Sequence, residues 1–489
     1  MTGRLSAGER NITGIGQPSI PIGIIALAAV LIVAVLMGGT FILTGSFPGP
    51  SILVLIGLGG FILILGNRFA GMAILVLSYT YCLPVVQYQF MGEHGFRLFD
   101  LVITGIFLAY LADALMGRPL IIARTPINTP LLCFAGFCLF SILVVALSKG
   151  LLAIPQAGLR WYRLVGFAFA FIFVSSLPMT KRRVNLLLDV FLAGALIQGL
   201  LSSLQSLGFL KPFWDIGETG YSDYYVGTMA PHHLQLRLYM VAALAVLVAK
   251  SKMLGSFGSK LAMALCSGLL IYPLFNSHSR TGILAVGVYG ATSLLFSRQR
   301  GLAIVGVVVG LLALFLAFGE APFEAGQEQV QKQIDKMQTP TGLDPTRLSE
   351  ARVRIYGRYL SRIANDPGIL IWGMGYETGW GGAHNCYVHV LFELGAFGFA
   401  IWLWLLVSLW KRARWITKHS VFSDARIMAR EYLCFFVAML AANMTSEVLY
   451  PRRSLYSFFG QFLFLSALVL HPIWGKRPST IQANKEESY

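Results

Sequence analysis

The sequence predicts an all-α polytopic membrane protein with about fourteen transmembrane helices. The chain has 489 residues, of which 56% are hydrophobic and only 12% are charged, whereas soluble domains are about 25% charged. Several apolar runs exceed the ~18 residues that indicate a membrane span. Lys and Arg gather in the short loops between these runs. A soluble protein would have to bury too many such helices for this composition.

Apolar runs separated by polar, Gly- or Pro-containing breaks define the individual spans. We predict them at 21–43, 51–66, 70–86, 98–116, 129–148, 160–178, 184–207, 233–250, 260–276, 280–297, 301–318, 386–410, 431–449 and 455–471. A cytoplasmic tail, 1–20, precedes these spans, and another, 472–489, follows them. The first eleven spans occupy 21–318, a large and partly helical periplasmic loop occupies 319–385, and the last three spans occupy 386–471.

Basic residues in the loops predict the orientation of the chain. They precede the first span and follow the second, fourth, sixth, eighth, tenth, twelfth and last spans. These positions all share one side of the membrane, and cytoplasmic loops carry the excess of Lys and Arg. We therefore predict a bacterial inner-membrane protein with both termini in the cytoplasm. The formal net charge of +16 then reflects orientation and contact with anionic membrane lipids, not nucleic-acid binding.

Six arginines lie at or near the predicted outer ends of spans, where the topology rule disfavours positive charge. They are Arg160, Arg163, Arg237, Arg280, Arg452 and Arg453. A single arginine in such a place can extend its long side chain to lipid headgroups. As a set, these residues predict an anion site, because a planar guanidinium group matches the oxygens of a diphosphate.

The large outer loop contains an amphipathic helix, predicted at 347–364. Most of its arginines form one stripe, which can face water or lipid, and its apolar residues lie opposite. Arg352 points instead into the apolar face, and a buried arginine must be paired or used. Pro367 and a Gly-x-Gly turn end the helix. His384 and Asn385 then precede the twelfth span directly, so the sequence predicts an imidazole at the outer membrane surface.

Histidines in the outer segments invite a metal-site hypothesis, which the spacing does not support. The candidates are His232, His233, His278, His384 and His389. His384 and His389 are five residues apart and do not share a helical face, and no outer cysteine or carboxylate completes a zinc site. The six cysteines lie in or beside apolar runs. We therefore predict no metal and no cofactor, and the absence of a phosphate-binding loop motif argues against ATP-driven transport.

Three groups of residues, in order along the chain, resemble the O-antigen ligase and O-antigen polymerase family of bacterial membrane glycosyltransferases. The segment 276–282 contains a Ser-Arg-Thr-Gly signature, and 384–398 contains a His-Asn-x-Tyr element followed by Glu-x-Gly-x-x-Gly. Between these two motifs, the matching residues are Arg352, Tyr356, Pro367, Gly373 and Gly375. The strong part of the resemblance covers about 225–400.

This resemblance implies a fold like that of the membrane glycosyltransferase C class (GT-C) and transfer of a glycan from undecaprenyl diphosphate, inverting and metal-independent. His384 would be the catalytic histidine and Arg280 a catalytic arginine that binds the diphosphate, with Asn385, Tyr387 and Arg352 contacting substrate. The chain departs from the family before Gly227, where an expected arginine is absent. Candidates to replace this arginine or to bind substrate nearby are Arg160, Arg163, Arg237 and His232.

The predicted function is polymerisation of a surface polysaccharide (O-antigen, capsule or exopolysaccharide) on the periplasmic face. Fourteen spans favour a polymerase over the alternative, a ligase that transfers the finished glycan to lipid A-core. A flippase for lipid-linked oligosaccharides is the second alternative, but it should carry charges within its spans, where Asp189 and Glu447 are the exceptions. Predicted partners are the lipid-linked donor, a glycan or lipid A-core acceptor, and a chain-length regulator or a flippase.

Overall fold

The computed structural model describes residues 67–80, 89–90, 93–94, 98–117, 122–210, 233–254, 256–276, 280–296, 338–339, 342–343, 346–376, 383–451 and 458–475. The chain divides into two compact units, 1–71 and 72–489. Only 67–71 of the first unit are described, and they contain the start of the first described helix.

Helices dominate the described residues. They are α1 (Arg68–Thr80), α2 (Leu98–Leu115), α3 (Asn128–Lys149), α4 (Ile154–Ser176), α5 (Lys181–Ser206), α6 (His233–Met253), α7 (Phe257–Asn276), α8 (Arg280–Phe296), α9 (Thr346–Asn365), α10 (Pro367–Trp372), α11 (Cys386–His419), α12 (Ser423–Ala442) and α13 (Phe459–Val469). Single 3-10 turns occur at Leu151–Ala153 and Pro472–Gly475. Two antiparallel pairs, β1–β2 (Gln89–Phe90, Glu93–His94) and β3–β4 (Gln338–Thr339, Gly342–Leu343), have two residues per strand.

The predicted class, an all-α membrane protein, is confirmed. Among the described residues, five helical stretches are long and apolar enough to cross a membrane: Asn128–Lys149, Leu151–Ser176, Lys181–Ser206, Phe257–Leu274 and Cys386–His419. Shorter apolar helices include α1, α8 and α13. The predicted spans at 21–43, 51–66 and 301–318 lie outside the described residues, so the count of fourteen stays a prediction.

The burial pattern of α3 shows how such a helix packs in a membrane. Its buried residues include Leu131, Phe134, Cys138, Ile142 and Val145, which follow the three-or-four-residue spacing of one helical face. On another face Leu132, Leu139, Leu143 and Leu147 are exposed. Leucines exposed along a whole helix would be unfavourable in water, but they suit contact with lipid tails.

Helix α11 bends at Gly395, which has φ +64° and ψ −172°. The bend interrupts the helical hydrogen bonds, and two amides of the turn after α10 take over the freed carbonyls. Met374 N–H donates to Phe392 O at 2.9 Å, and Gly375 N–H donates to Glu393 O at 2.9 Å. A Cβ on Gly395 would lie 2.2 Å from Ile371 O. The turn and the bend are therefore complementary, and both require glycine.

The segment that follows α12 differs from the predicted span at 431–449. The helix begins earlier, at Ser423, and ends at Ala442. Residues 443–451 form a non-helical segment, here called the 443–451 link. Asn443 stabilises it, because its backbone carbonyl accepts from Cys386 N–H at 2.7 Å and its side-chain carbonyl accepts from Leu449 N–H at 2.9 Å. The link is thereby attached to the start of α11.

Candidate functional site

His384 combines an exposed side chain with a constrained backbone. Its φ is +52°, and it is the one non-glycine residue with positive φ in the described part of the chain. Such a conformation is unfavourable for a residue with a Cβ and requires support from its surroundings. Two hydrogen bonds supply this support, one to each backbone polar group of His384. His384 N–H donates to Glu447 Oε1 at 2.8 Å, and the Tyr356 hydroxyl donates to His384 O at 3.1 Å.

These contacts join three elements at one point. Tyr356 belongs to α9, the predicted amphipathic helix, and Glu447 belongs to the 443–451 link. The Tyr356 hydroxyl also lies 3.4 Å from Met444 O in the same link. Tyr359 and Ile363, on the packed face of α9, are buried against Phe392 and Ile369. The apolar face of α9 therefore docks this helix beside His384, while the exposed imidazole can meet a substrate.

Asn385 and Tyr387, the other members of the His-Asn-x-Tyr element, make contacts within the protein. Asn385 caps α11, because its side-chain oxygen accepts from Val388 N–H at 3.2 Å. The Tyr387 hydroxyl donates to Leu440 O at 3.0 Å, and its ring packs against Trp402 with centroids 5.7 Å apart. Both residues fix the start of α11 against its neighbours. Their predicted contact with substrate stays a prediction.

A buried polar cluster lies directly behind His384. His389 is fully buried, with Nε2 3.2 Å from Glu393 Oε1 and Nδ1 4.0 Å from Glu447 Oε1. The Tyr450 hydroxyl donates to the other oxygen of Glu393 at 2.8 Å. Sequence reasoning did not assign a role to these residues. Two signals could have found them: Glu393 is part of the resembling motif, and Glu447 is a charge in an apolar run.

The start of α8, which carries Arg280, contacts the same link. The Thr281 and Thr445 hydroxyl oxygens are 2.9 Å apart. Thr445 is two residues before Glu447, so the structure brings the N-terminus of α8 and the backbone of His384 to one segment. A helix N-terminus presents free N–H groups and a positive dipole end. The side chain of Arg280 lies outside the described residues.

Arg237 lies next to the start of α8. It is fully buried in α6, and its aliphatic part packs on Gly282, where an added Cβ would meet Arg237 Cδ at 3.1 Å and Cβ at 3.2 Å. Gly282 is two residues after Arg280. The glycine thus allows the arginine to pass close to the backbone of α8. Of the arginines proposed to replace the missing one, Arg237 has this direct contact with the signature segment.

Arg163 has a partner inside the protein. Its Nε and Nη2 atoms each donate to one oxygen of Asp100 at 3.1 Å, and both residues are buried. This bidentate ion pair joins α4 to α2. Arg160 is also buried, about one turn earlier in α4. The pair gives Arg163 a structural role, whereas its predicted contact with the donor stays a prediction.

The remaining predicted site residues are not described at the side-chain level. His232, Arg452 and Arg453 lie outside the described residues, as does the side chain of Arg352, whose backbone belongs to α9. Within the described part, no group of three or more His, Cys, Asp or Glu residues is arranged to hold a metal ion.

A cavity of about 670 Å³ opens between α9, the start of α10 and the end of α3. It is lined by Ser148, Gly357, Arg358, Ser361, Arg362, Asn365, Asp366, Ile369 and Met374. Its volume falls in the range of small-molecule sites, about 300–1,000 Å³. Asp366 is engaged there as the cap of α10, with Oδ1 accepting from Gly368 N–H at 2.9 Å.

Residues 262–403 match the family model described as O-Antigen ligase. The matched segment begins in α7 and ends in α11, and it contains the start of α8, His384, His389 and Glu393. Arg237, Arg163 and Glu447 lie outside it. No curated protein matches the chain. The resemblance seen in the sequence is therefore confirmed.

Proposed function

We propose that this chain, whose residues 262–403 match the family model described as O-Antigen ligase, polymerises a surface polysaccharide. The donor is a glycan repeat on undecaprenyl diphosphate, and the acceptor is a hydroxyl of a second lipid-linked repeat. The site lies on the periplasmic side of the inner membrane. The observation that carries the proposal is His384, an exposed imidazole on a backbone fixed by Glu447 and Tyr356.

The reaction needs a proton acceptor and stabilisation of the leaving group. The acceptor oxygen bonds to the anomeric carbon of the donor, while the bond from that carbon to the diphosphate oxygen breaks. His384 accepts or orients the proton of the acceptor hydroxyl, a role for which imidazole is suited near neutral pH. The electron pair of the broken bond leaves with undecaprenyl diphosphate. Attack from the opposite face inverts the anomeric centre.

Cations at the start of α8 stabilise the diphosphate as it leaves. Arg280 is the signature arginine, and the free N–H groups of the helix N-terminus add positive potential. We propose Arg237 as the second cation, because it packs on Gly282 in the first turn of α8. Positive groups fixed before the reaction stabilise developing charge without having to reorganise.

The cavity beside α9 is proposed as the place where sugars of the acceptor bind. Its lining offers the arginines of α9 together with Ser148 and Asn365, and such groups bind sugar hydroxyls through hydrogen bonds. Met374, which also lines the cavity, donates its backbone N–H to Phe392 O in α11. The cavity thereby adjoins the helix that His384 precedes.

Ligation of a finished glycan to lipid A-core is the second candidate, since the matching family is described as O-Antigen ligase. Both reactions use the same donor and differ in the acceptor. A flippase is disfavoured by three ion pairs that join described helices: Arg163 with Asp100, Lys250 with Asp189 at 2.7 Å, and Lys252 with Glu431 at 2.6 Å. Charges that are paired in this way join helices to one another and are not available to line a transport path for the substrate.

The length distribution of surface polysaccharide tests the proposal. A strain without this protein is complemented with wild type, His384→Ala, or the control His419→Ala, which changes an exposed histidine at the far end of α11. We expect single repeats without protein and with His384→Ala, and long chains with wild type and the control. General acid–base groups contribute about 10²–10⁴-fold, so the loss should be nearly complete.

Two other outcomes have defined meanings. Long chains that accumulate on undecaprenyl diphosphate in the deletion strain would contradict polymerisation and establish ligation. Long chains in the His384→Ala strain would contradict the catalytic role of His384 in either reaction.

A further inference from the structure

We propose that His389 is a positioning residue that fixes Glu447 and, through it, the backbone of His384. This inference rests on the proposed function of His384 and adds a second histidine with a different role. His389 lies in the first turn of α11, five residues after His384, and its side chain is fully buried. It does not reach the surface, so it does not meet the substrate.

Two carboxylates flank the His389 ring. Glu393, one turn later on the same helix, approaches Nε2 at 3.2 Å, and Glu447 of the 443–451 link approaches Nδ1 at 4.0 Å. Both ring nitrogens are buried and have no hydrogen bond of good geometry within the protein. A buried polar group without a hydrogen bond lowers the stability of the fold unless neighbouring groups compensate for the lost hydration. Each ring nitrogen instead lies near a carboxylate oxygen, and a nitrogen that carries a proton is attracted to that oxygen.

The first carboxylate is firmly held. The Tyr450 hydroxyl donates to Glu393 Oε2 at 2.8 Å, and the backbone carbonyl of Glu393 accepts from Gly375 N–H at the bend of α11. Aromatic rings close the remaining sides of His389. The centroid of Tyr450 is 5.7 Å away, and that of Tyr359 from α9 is 6.3 Å away. The fixed Glu393 therefore gives the imidazole a fixed position.

The second carboxylate connects the two histidines. One oxygen, Glu447 Oε1, lies near His389 Nδ1 and also accepts from His384 N–H at 2.8 Å. The contacts run in series from Glu393 through His389 and Glu447 to His384. His384 has φ +52°, a conformation that relaxes if its N–H loses its acceptor. A displaced Glu447 would therefore misalign the catalytic imidazole without altering it chemically.

The inference predicts a specific kinetic signature. Misplacement of a catalytic group by about 1 Å can cost about 10²-fold in rate. We expect His389→Leu, which fills similar space but cannot interact with carboxylates, to reduce kcat by about 10²-fold. KM for the donor should change by less than about twofold, because the diphosphate site at α8 is untouched. His389→Gln, whose amide donates one N–H to a carboxylate, should restore most of the rate.

A double-mutant cycle separates this role from a general loss of packing. The purified full chain is assayed with lipid-linked repeats extracted from a strain that lacks it. We compare His389→Leu in the wild-type background with His389→Leu in the Glu447→Gln background. If His389 acts through Glu447, the second comparison should show almost no further loss, because interacting residues are not additive. Where the leucine variant does not fold, His389→Asn, too short to reach both carboxylates, replaces it.

The outcomes distinguish this inference from the function it rests on. Equal effects of His389→Leu in both backgrounds, or a wild-type rate for this variant, would overturn the positioning role while His384→Ala stays inactive. A fully active His384→Ala would instead overturn the proposed function. His419→Leu, at the opposite end of α11, is the matched control and should retain the wild-type kcat.

Discussion

At the scale of single residues, the site depends on pairs that are distant in sequence. Glu447 accepts from the backbone of His384, although 63 residues separate them. The sequence predicted His384 from its motif and position before an apolar run. It marked Glu447 only as a charge in an apolar stretch, since no local pattern tells which backbone amide a carboxylate will meet. That information comes from the packing of α11 against α12.

Arg163 provides a prediction at this scale. Removing one partner of a buried ion pair leaves an uncompensated charge, which costs about 3–5 kcal/mol, whereas replacing both partners with apolar residues is often close to neutral. We expect Arg163→Met to lower the thermal unfolding midpoint of the detergent-purified protein markedly. The double variant Arg163→Met with Asp100→Leu should recover most of that loss, and it should keep activity.

The activity of the double variant decides between two roles for Arg163. A stable double variant with wild-type polymer formation supports a structural ion pair. A stable double variant without activity would contradict it and favour contact between Arg163 and the donor.

At the scale of elements, the sequence predicted most described helices closely. The predicted span 129–148 corresponds to Asn128–Lys149, and the predicted amphipathic helix 347–364 corresponds to Thr346–Asn365. These succeeded because apolar periodicity and Pro or Gly boundaries are local signals. The predicted span 431–449 extended past the end of α12 because the 443–451 link is partly apolar too. Its backbone is turned by contacts of Asn443 that composition does not encode.

Apolar periodicity did not predict the bend of α11. This bend provides a prediction at the scale of elements. At Gly395, a Cβ would lie 2.2 Å from Ile371 O, and φ is +64°. We expect Gly395→Ala to force the turn after α10 away from α11, with a cost of at least about 1–3 kcal/mol from backbone strain alone. Because this turn adjoins the cavity and the His389 cluster, activity should fall together with the unfolding midpoint.

Gly136→Ala is the matched control for this prediction, since it changes a glycine of α3 with open space at the Cβ position. It should leave stability and activity within error of wild type. An unchanged unfolding midpoint for Gly395→Ala would show that the bend tolerates a side chain and would contradict the complementarity of turn and helix.

At the scale of the whole molecule, composition was sufficient to predict the class. A chain with 56% hydrophobic and 12% charged residues is far less charged than soluble domains are, and the described helices expose leucines as lipid-facing helices do. The acceptor was not predictable in the same way. In the proposed function it is recognised at the cavity beside α9, whose shape arises only when α3, α9 and α10 come together.

The central claim is that this protein itself transfers a glycan from undecaprenyl diphosphate with His384 at the reacting atoms. The most direct measurement incubates the purified full chain with lipid-linked repeats and follows release of undecaprenyl diphosphate together with growth of the glycan. The account predicts stoichiometric release and elongation by wild type, and a rate at least about 10²-fold lower for His384→Ala. Equal rates for the two proteins, or no release by a folded wild type, would contradict it.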